Sequence, residues 1–150
     1  MAPPRFDPHG YLEEGIHRCT LEQLDSLLGW NPCRQRLLGQ LRQFLREALE
    51  PAMGPQAPLV LDGSFVTQQE QPDDIVVVLL LDELSEEGFW RGADFYQQQN
   101  TFRERYQIRL FVQTQVGNID ALQRIQGIDP RELLEKSLDA RHVKGVVRLN

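Results

Sequence analysis

Apolar residues recur at two periods along this chain, and the changes between them mark out helices and strands. Leu37, Leu38, Leu41, Phe44, Leu45 and Leu49 fall three or four residues apart and line one stripe of a helix. Arg34, Arg36, Arg42 and Arg46 lie off that stripe, which predicts a solvated face, with a partner surface as the alternative. Asn31-Pro32 should open this helix, as an N-cap residue followed by proline at the first helical position. Its expected end is near residue 49, before Pro51, Gly54, Pro55 and Pro58 break the chain. Upstream, Thr20-Leu-Glu-Gln23 reads as a capping box, opening a short helix that Gly29 would close in a left-handed conformation. Residues 7–15 are rich in turn formers and predict an extended lead-in.

The remaining apolar runs are short and continuous. Leu59-Val-Leu-Asp62 predicts a strand, and residues 75–81, apolar throughout and β-branched at the start, suit a central strand covered on both faces. Residues 89–105 predict helix despite Gly92, and residues 107–114 a third strand. Further helices are expected from Asn118 to about residue 124 and from Asp129-Pro130 to about residue 138. Lys144-Gly-Val-Val-Arg-Leu149 reads as a final edge strand, its charges guarding against aggregation. This alternation argues for an α/β domain: a small mixed sheet of three to four strands with helices packed on one side. One domain spans residues 1–150, divided into a lead-in with two helices (1–58), a core (59–114) and a C-terminal part of helices and a tail strand (115–150).

Composition narrows the function classes. Hydrophobic residues make up 41% and charged residues 25%, as in soluble globular proteins. The net charge of −6, with 14 arginines and 2 lysines, argues against non-specific nucleic-acid binding but leaves room for a nucleotide in a local pocket. No apolar stretch approaches the length of a membrane span and none follows the first residues as in a secretory signal, so a cytoplasmic protein is expected. Cys19 and Cys33 lack zinc-ligand spacing and read as free thiols, while His9, His17 and His142 are scattered and read as ordinary histidines. Trp30 and Trp90 are expected to pack rather than stack on bases. Gln97-Gln-Gln-Asn100 is expected on a polar helix face.

Candidate chemistry gathers between the first two core strands. Gly63-Ser64 ends one strand, nine residues intervene, and Asp74 opens the next. Glycine allows close backbone approach to a phosphate, a serine hydroxyl and free amides can hold its oxygens, and a carboxylate on the neighbouring strand can carry Mg²⁺ to the same phosphates. By itself a Gly-Ser turn is weak evidence. Asp62-Gly-Ser-Phe-Val-Thr67 followed by Pro72-Asp-Asp-Ile75, however, resembles the signature of nucleotidyltransferase-like proteins. It is most similar to an uncharacterised family of short bacterial members, whose flanks resemble Gly15-Ile-His-Arg-Cys-Thr-Leu-Glu22 and Lys144-Gly-Val-Val-Arg-Leu149, so the resemblance covers roughly residues 7–149.

The resemblance implies an Asp-x-Asp pair on the second strand and a third acid on the next, together holding two Mg²⁺ ions and a nucleoside triphosphate. Gly63, Ser64 and Asp74 match as nucleotide-binding positions; the second acid position is Val76 and the third Arg109. The nearby acids that could compensate are Asp62, Glu70, Asp73 and Asp82, of which Asp62 and Asp73 are expected to point away and Asp82 lies at the far end of its strand. One carboxylate beside a guanidinium is a poor ligand set for a hard cation. The leading expectation is therefore a catalytically degenerate protein with no resident cofactor, acting as a binding or regulatory subunit. The resemblance also implies a helical protein partner encoded by a neighbouring gene. The alternative is an active minimal transferase that uses displaced acids, Mg²⁺ and a nucleoside triphosphate to modify a protein or RNA. A third reading is a ligand-free interaction module. Arg109 is expected to pair with Asp74 and take the place of the lost metal, in a buried pair whose loss would cost a few kcal/mol.

Overall fold

A computed structural model describes residues 4–113 and 145–149. The helices expected over 118–124 and 129–138, together with His142 and Lys144, lie outside the described residues. In chain order the elements are β1 (Ile16–Cys19), α1 (Leu21–Leu28), α2 (Pro32–Phe44), a π-turn (Leu45–Leu49), α3 (Glu50–Met53), β2 (Leu59–Asp62) and β3 (Ile75–Leu80). After these come α4 (Glu86–Tyr96), α5 (Gln99–Tyr106), β4 (Ile108–Gln113) and β5 (Val146–Leu149).

Among the described residues one mixed sheet carries five strands in the order β1-β5-β2-β3-β4, one strand more than the upper expectation. β1 and β5 run parallel, as do β3 and β4, whereas β2 is antiparallel to both of its neighbours. The parallel β3–β4 pair needs a crossover, which α4 and α5 supply. The strand missed from sequence is β1: Ile-His-Arg-Cys has too few apolar positions to show alternation, and only Cys19 is buried. With β1 at the edge, β5 lies inside the sheet, which corrects the expectation of an edge strand. Gly145 permits this insertion. A Cβ there would sit 2.1 Å from the Glu13 carbonyl oxygen and 3.0 Å from Leu12 Cβ, so only glycine lets β5 enter beside the lead-in.

The described helices cover one sheet face. Leu59, Leu61, Val77, Leu79, Leu110 and Val147 meet Leu37, Leu41, Phe44, Phe95 and Phe102 in the main core. On the opposite face Val60, Val78, Leu80 and Val146 form a smaller buried cluster. The central β3 strand is therefore buried on both sides, as its continuous apolar run predicts.

Helix ends follow local chemistry, with two corrections. The capping box forms, since Thr20 Oγ1 accepts from the Gln23 amide and the Thr20 amide donates to the Gln23 side chain. Asn31 Oδ1 caps α2 by accepting from the Arg34 amide at 2.9 Å. Gly29 closes α1 at φ −99°, outside the left-handed region; its lack of Cβ matters because one would meet the Asp25 carbonyl at 2.8 Å and Leu38 at 3.0 Å. Pro51 does not stop the helical path. A proline ring clashes with the carbonyl four residues back, and the wider π-turn at Leu45–Leu49 leads the chain into α3 with the proline inside it.

Instead of one helix over 89–105 there are two, parted at Gln97 and Gln98, and Gln99 and Asn100 begin α5. Gly92 is buried on α4 against Leu79 and Leu81. A Cβ there would come within 2.3 Å of Leu81 Cδ2 and 3.2 Å of Leu79 Cδ2. Gly92→Ala should therefore lower stability, the cost of overpacking (~1–3 kcal/mol) exceeding the helix-propensity gain of about 1 kcal/mol. A urea-denaturation midpoint at or above wild type would contradict this.

Candidate functional site

The candidate site lies at the end of the sheet where β2 finishes and β3 and β4 begin. Gly63 leaves β2 at φ +81°, in the region that disfavours any side chain, and Ser64–Val66 form one 3₁₀ turn. The turn is closed by Thr67, whose amide and hydroxyl both donate to the Ser64 carbonyl. Gly63 also meets the neighbouring strand, because a Cβ there would lie 2.8 Å from Val76 Cγ2.

Arg34 holds this loop in place. It was expected on a solvated face; instead it is fully buried at the start of α2. Its Nε donates to the Gln69 carbonyl, one terminal nitrogen to Leu28 and Phe65, and the other to Thr67 and Gln69. All five guanidinium donors are thereby used on backbone oxygens. Trp30 stacks on the guanidinium at 3.7 Å from its ring centroid, with Phe65 at 5.2 Å. Burial pulls the Arg34 pKa down to about 10, with Cys33 and Glu70 opposing, so the group remains a cation at neutral pH. Two neighbours add to this anchor: Asn31 donates to the Glu70 carbonyl at 2.7 Å, and the Cys33 thiol to the Pro72 carbonyl at 3.6 Å. From the other side the Gln68 amide donates to the Gly10 carbonyl.

Strand register then decides which side chains share a face. Asp62 pairs with Val76, and Val76 with Arg109, so the three stand in one row across β2, β3 and β4. Asp62 was expected to point away from the site; the two-residue period of β2 instead puts it on the same face as Val76, and it is 5% exposed. Asp74, two residues before Val76, faces the same way. Its Oδ2 is 3.9 Å from Arg109 Nε, with the side chains 24% and 46% exposed respectively. The expected contact exists, but at a distance beyond hydrogen bonding and with a half-exposed arginine. Such a pair is worth about 0–1 kcal/mol, so the larger cost expected for losing Arg109 is corrected downward.

Burial pushes the Asp74 carboxyl above its ordinary value, Arg109 and Arg103 pull it back, and Asp73 pushes it further up. Asp73 is held through its backbone, its carbonyl accepting from Gln107 Nε2 at 3.0 Å. Gln107 is left-handed at φ 55°, and its side-chain oxygen accepts from Arg36. Arg148 pairs with Glu83 through two hydrogen bonds.

The chain belongs to a family of unknown function, DUF6932, which matches residues 4–150. No curated protein and no solved structure matches it. Among the described residues of this family member, no helix is long and apolar enough to cross a membrane. No three His, Cys, Asp or Glu side chains among them gather as a metal site. Where the resemblance expects the second and third acids stand Val76 and Arg109, the latter within ion-pair range of Asp74, a poor set of ligands for two Mg²⁺ ions. Of the other residues weighed from sequence, Trp30 packs on Arg34, whereas Trp90 is 63% exposed. Cys19 is buried, and a ring nitrogen of His17 lies 2.7 Å from the Glu13 carbonyl oxygen.

Two predictions follow from these environments. Lysine cannot reproduce the five-donor fork, so Arg34→Lys should cost about 3 kcal/mol by leaving buried carbonyls unpaired. Urea denaturation measures the loss, and amide exchange over residues 65–70 should accelerate; unchanged exchange would refute the anchor. For Asp74, a carboxyl whose pKa is higher in the folded chain than in the unfolded chain binds its proton more tightly when folded, so ionisation costs stability as pH rises. Asp74→Asn should therefore equal or exceed wild-type stability at neutral pH. The difference should vanish on acidification through the carboxylate range, and a variant clearly less stable at neutral pH would contradict the assignment.

Proposed function

We propose that this protein is a nucleotidyltransferase-like protein whose catalytic acids are largely gone and which serves as a nucleotide-binding or regulatory subunit, with a helical protein as its expected partner. The observation that supports the reading most directly is the row across β2, β3 and β4. Val76 and Arg109 stand where metal-binding acids would be needed, and Arg109 approaches the one matching acid, Asp74. The Gly63-Ser64 turn, which the resemblance matches to nucleotide-binding positions, stands beside that row. Transfer chemistry needs divalent cations to position the triphosphate and offset its charge, and here Arg109 stands within ion-pair range of Asp74.

A second reading, an active minimal transferase, draws support from Asp62. It shares the row with Val76 and brings a second carboxylate to the same face. Radiolabelled nucleoside triphosphates with Mg²⁺ or Mn²⁺, offered to the purified protein with candidate protein and RNA acceptors, separate the two. We expect no label transfer that depends on Asp74. Label that appears with wild type and disappears in Asp74→Ala would establish the transferase instead.

A further inference from the structure

We propose that the outer face of α4 docks a helix of a protein partner that carries arginines in a row, with Trp90 as the anchor. This surface does not depend on the nucleotide reading above. Gly92 sets the orientation of α4, since it is buried against Leu79 and Leu81. Position 90 is about 200° round the helix from it and faces away from the sheet. The indole there is 63% exposed, more than any other large apolar side chain among the described residues, and its ring centroid lies 5.4 Å from that of Phe89. Glu86 stands one turn before Trp90 and Asp94 one turn after it, both exposed. Carboxylate, indole and carboxylate therefore follow one another along a single row, at intervals of about 6 Å. Among the described residues neither carboxylate has an ion-pair or hydrogen-bond partner, whereas Glu87 on the same helix pairs with Arg91 at 2.6 Å.

Folding explains only part of this row. Glu86 lies in the first turn, where negative charge complements the helix dipole. Asp94 lies in the last turn, where the same dipole opposes it, and no basic side chain stands in that turn to offset it. An indole left in water forgoes the burial that makes a large aromatic side chain useful to a core.

The charges select a cation as the occupant. The elements packed against α4 are α3, the 3₁₀ turn Leu81–Glu83 and β4, and they add Glu50, Asp82 and Glu83 but only Arg109. Even with Arg148, which comes from β5 to pair with Glu83, carboxylates outnumber guanidinium groups two to one around this helix. Tryptophan is the aromatic side chain that attracts a cation most strongly, and a planar guanidinium stacks on it better than an ammonium does. The geometry selects a helix. An extended segment needs a strand edge for its backbone, which the side of a helix does not offer. A helix satisfies its own backbone and repeats its side chains at the same interval as this row, so arginines at i, i+4 and i+8 meet Glu86, Trp90 and Asp94 together.

A synthetic alanine-based helical peptide with arginines at i, i+4 and i+8, titrated into the full chain and followed by anisotropy of a dye on the peptide, tests the proposal. A second peptide of the same composition places its arginines on three different sides of the helix. We expect the first to bind and the second to bind severalfold more weakly. Trp90→Ala should weaken the first roughly thirtyfold, the range for truncating an interface anchor. The double variant Glu86→Gln, Asp94→Asn should weaken it as well. Glu22→Gln with Glu104→Gln, which removes as much charge from exposed positions elsewhere, should leave it unchanged. Circular dichroism confirms that each variant is folded. Failure of the first peptide to bind would overturn the proposal. Equal binding of the two peptides, or an equal loss in the remote double variant, would reduce the effect to non-specific attraction and overturn it too. Trp90-dependent uptake by phosphatidylglycerol vesicles would assign the face to a membrane instead, and Trp90-dependent self-association would assign it to a second copy of this chain.

Discussion

The burial of Arg34 is the constraint on which the candidate site depends. A guanidinium withdrawn from water loses a large hydration energy, and only a complete set of acceptors offsets it. Here the acceptors are backbone carbonyls of Leu28, Phe65, Thr67 and Gln69 rather than a carboxylate. Backbone acceptors have a structural consequence that a salt bridge would lack. They fix the path of the chain itself, so a loop without regular secondary structure beyond one 3₁₀ turn takes a defined course between β2 and β3. Stacked Trp30 covers the guanidinium with a π face that attracts a cation, and the chain gains a rigid joint between the start of α2 and the Gly63 loop.

That joint was invisible to periodicity. The apolar stripe on α2 assigns Arg34 correctly to the flank of the helix but says nothing about what lies against the flank, which depends on residues more than thirty positions away. The same limit explains β1 and β5. Cys19 and the valines of β5 have strand character, but their pairing is set by Gly145 fitting against Glu13, a contact between the two ends of the chain. Features determined within a few residues were legible: the capping box at Thr20, the Asn31 cap, the strand-turn-strand at Leu59 to Asp74, and the continuous burial of β3. The Gly29 conformation and the chain's passage through Pro51 were not, because neighbouring side chains and an alternative helical hydrogen-bond pattern resolved them.

For the candidate site, spacing brought three of its residues to one face but misjudged what else stands on it. Asp74, Val76 and Arg109 do converge, because positions two apart on β3 share a face and the parallel β4 aligns Arg109 with Val76. Asp62 was discounted for its adjacency to Gly63, yet strand alternation and the antiparallel register with β3 place it in the same row. Adjacency along the chain is a poor guide to direction where a strand passes into a turn at positive φ.

What distinguishes a retained binding site from a structural relic is whether its residues are explained by folding alone. Gly63 is so explained: φ +81° and the methyl of Val76 exclude any side chain, with or without a phosphate nearby. Val76 is explained by the same contact and by its place on the smaller apolar cluster. Asp74 is not. Burial raises its pKa, its arginine partner stands too far away for a hydrogen bond, and an uncharged side chain would meet the same surroundings at lower cost. A half-exposed Arg109 beside Phe111 likewise adds little to the fold. Local rules of folding are broken most often where a protein binds something, since a preorganised charge is useful to a ligand and costly to the empty chain. Folding therefore accounts for the glycine-serine turn through which the sequence first draws attention to this corner, and leaves the Asp74–Arg109 pair unaccounted for.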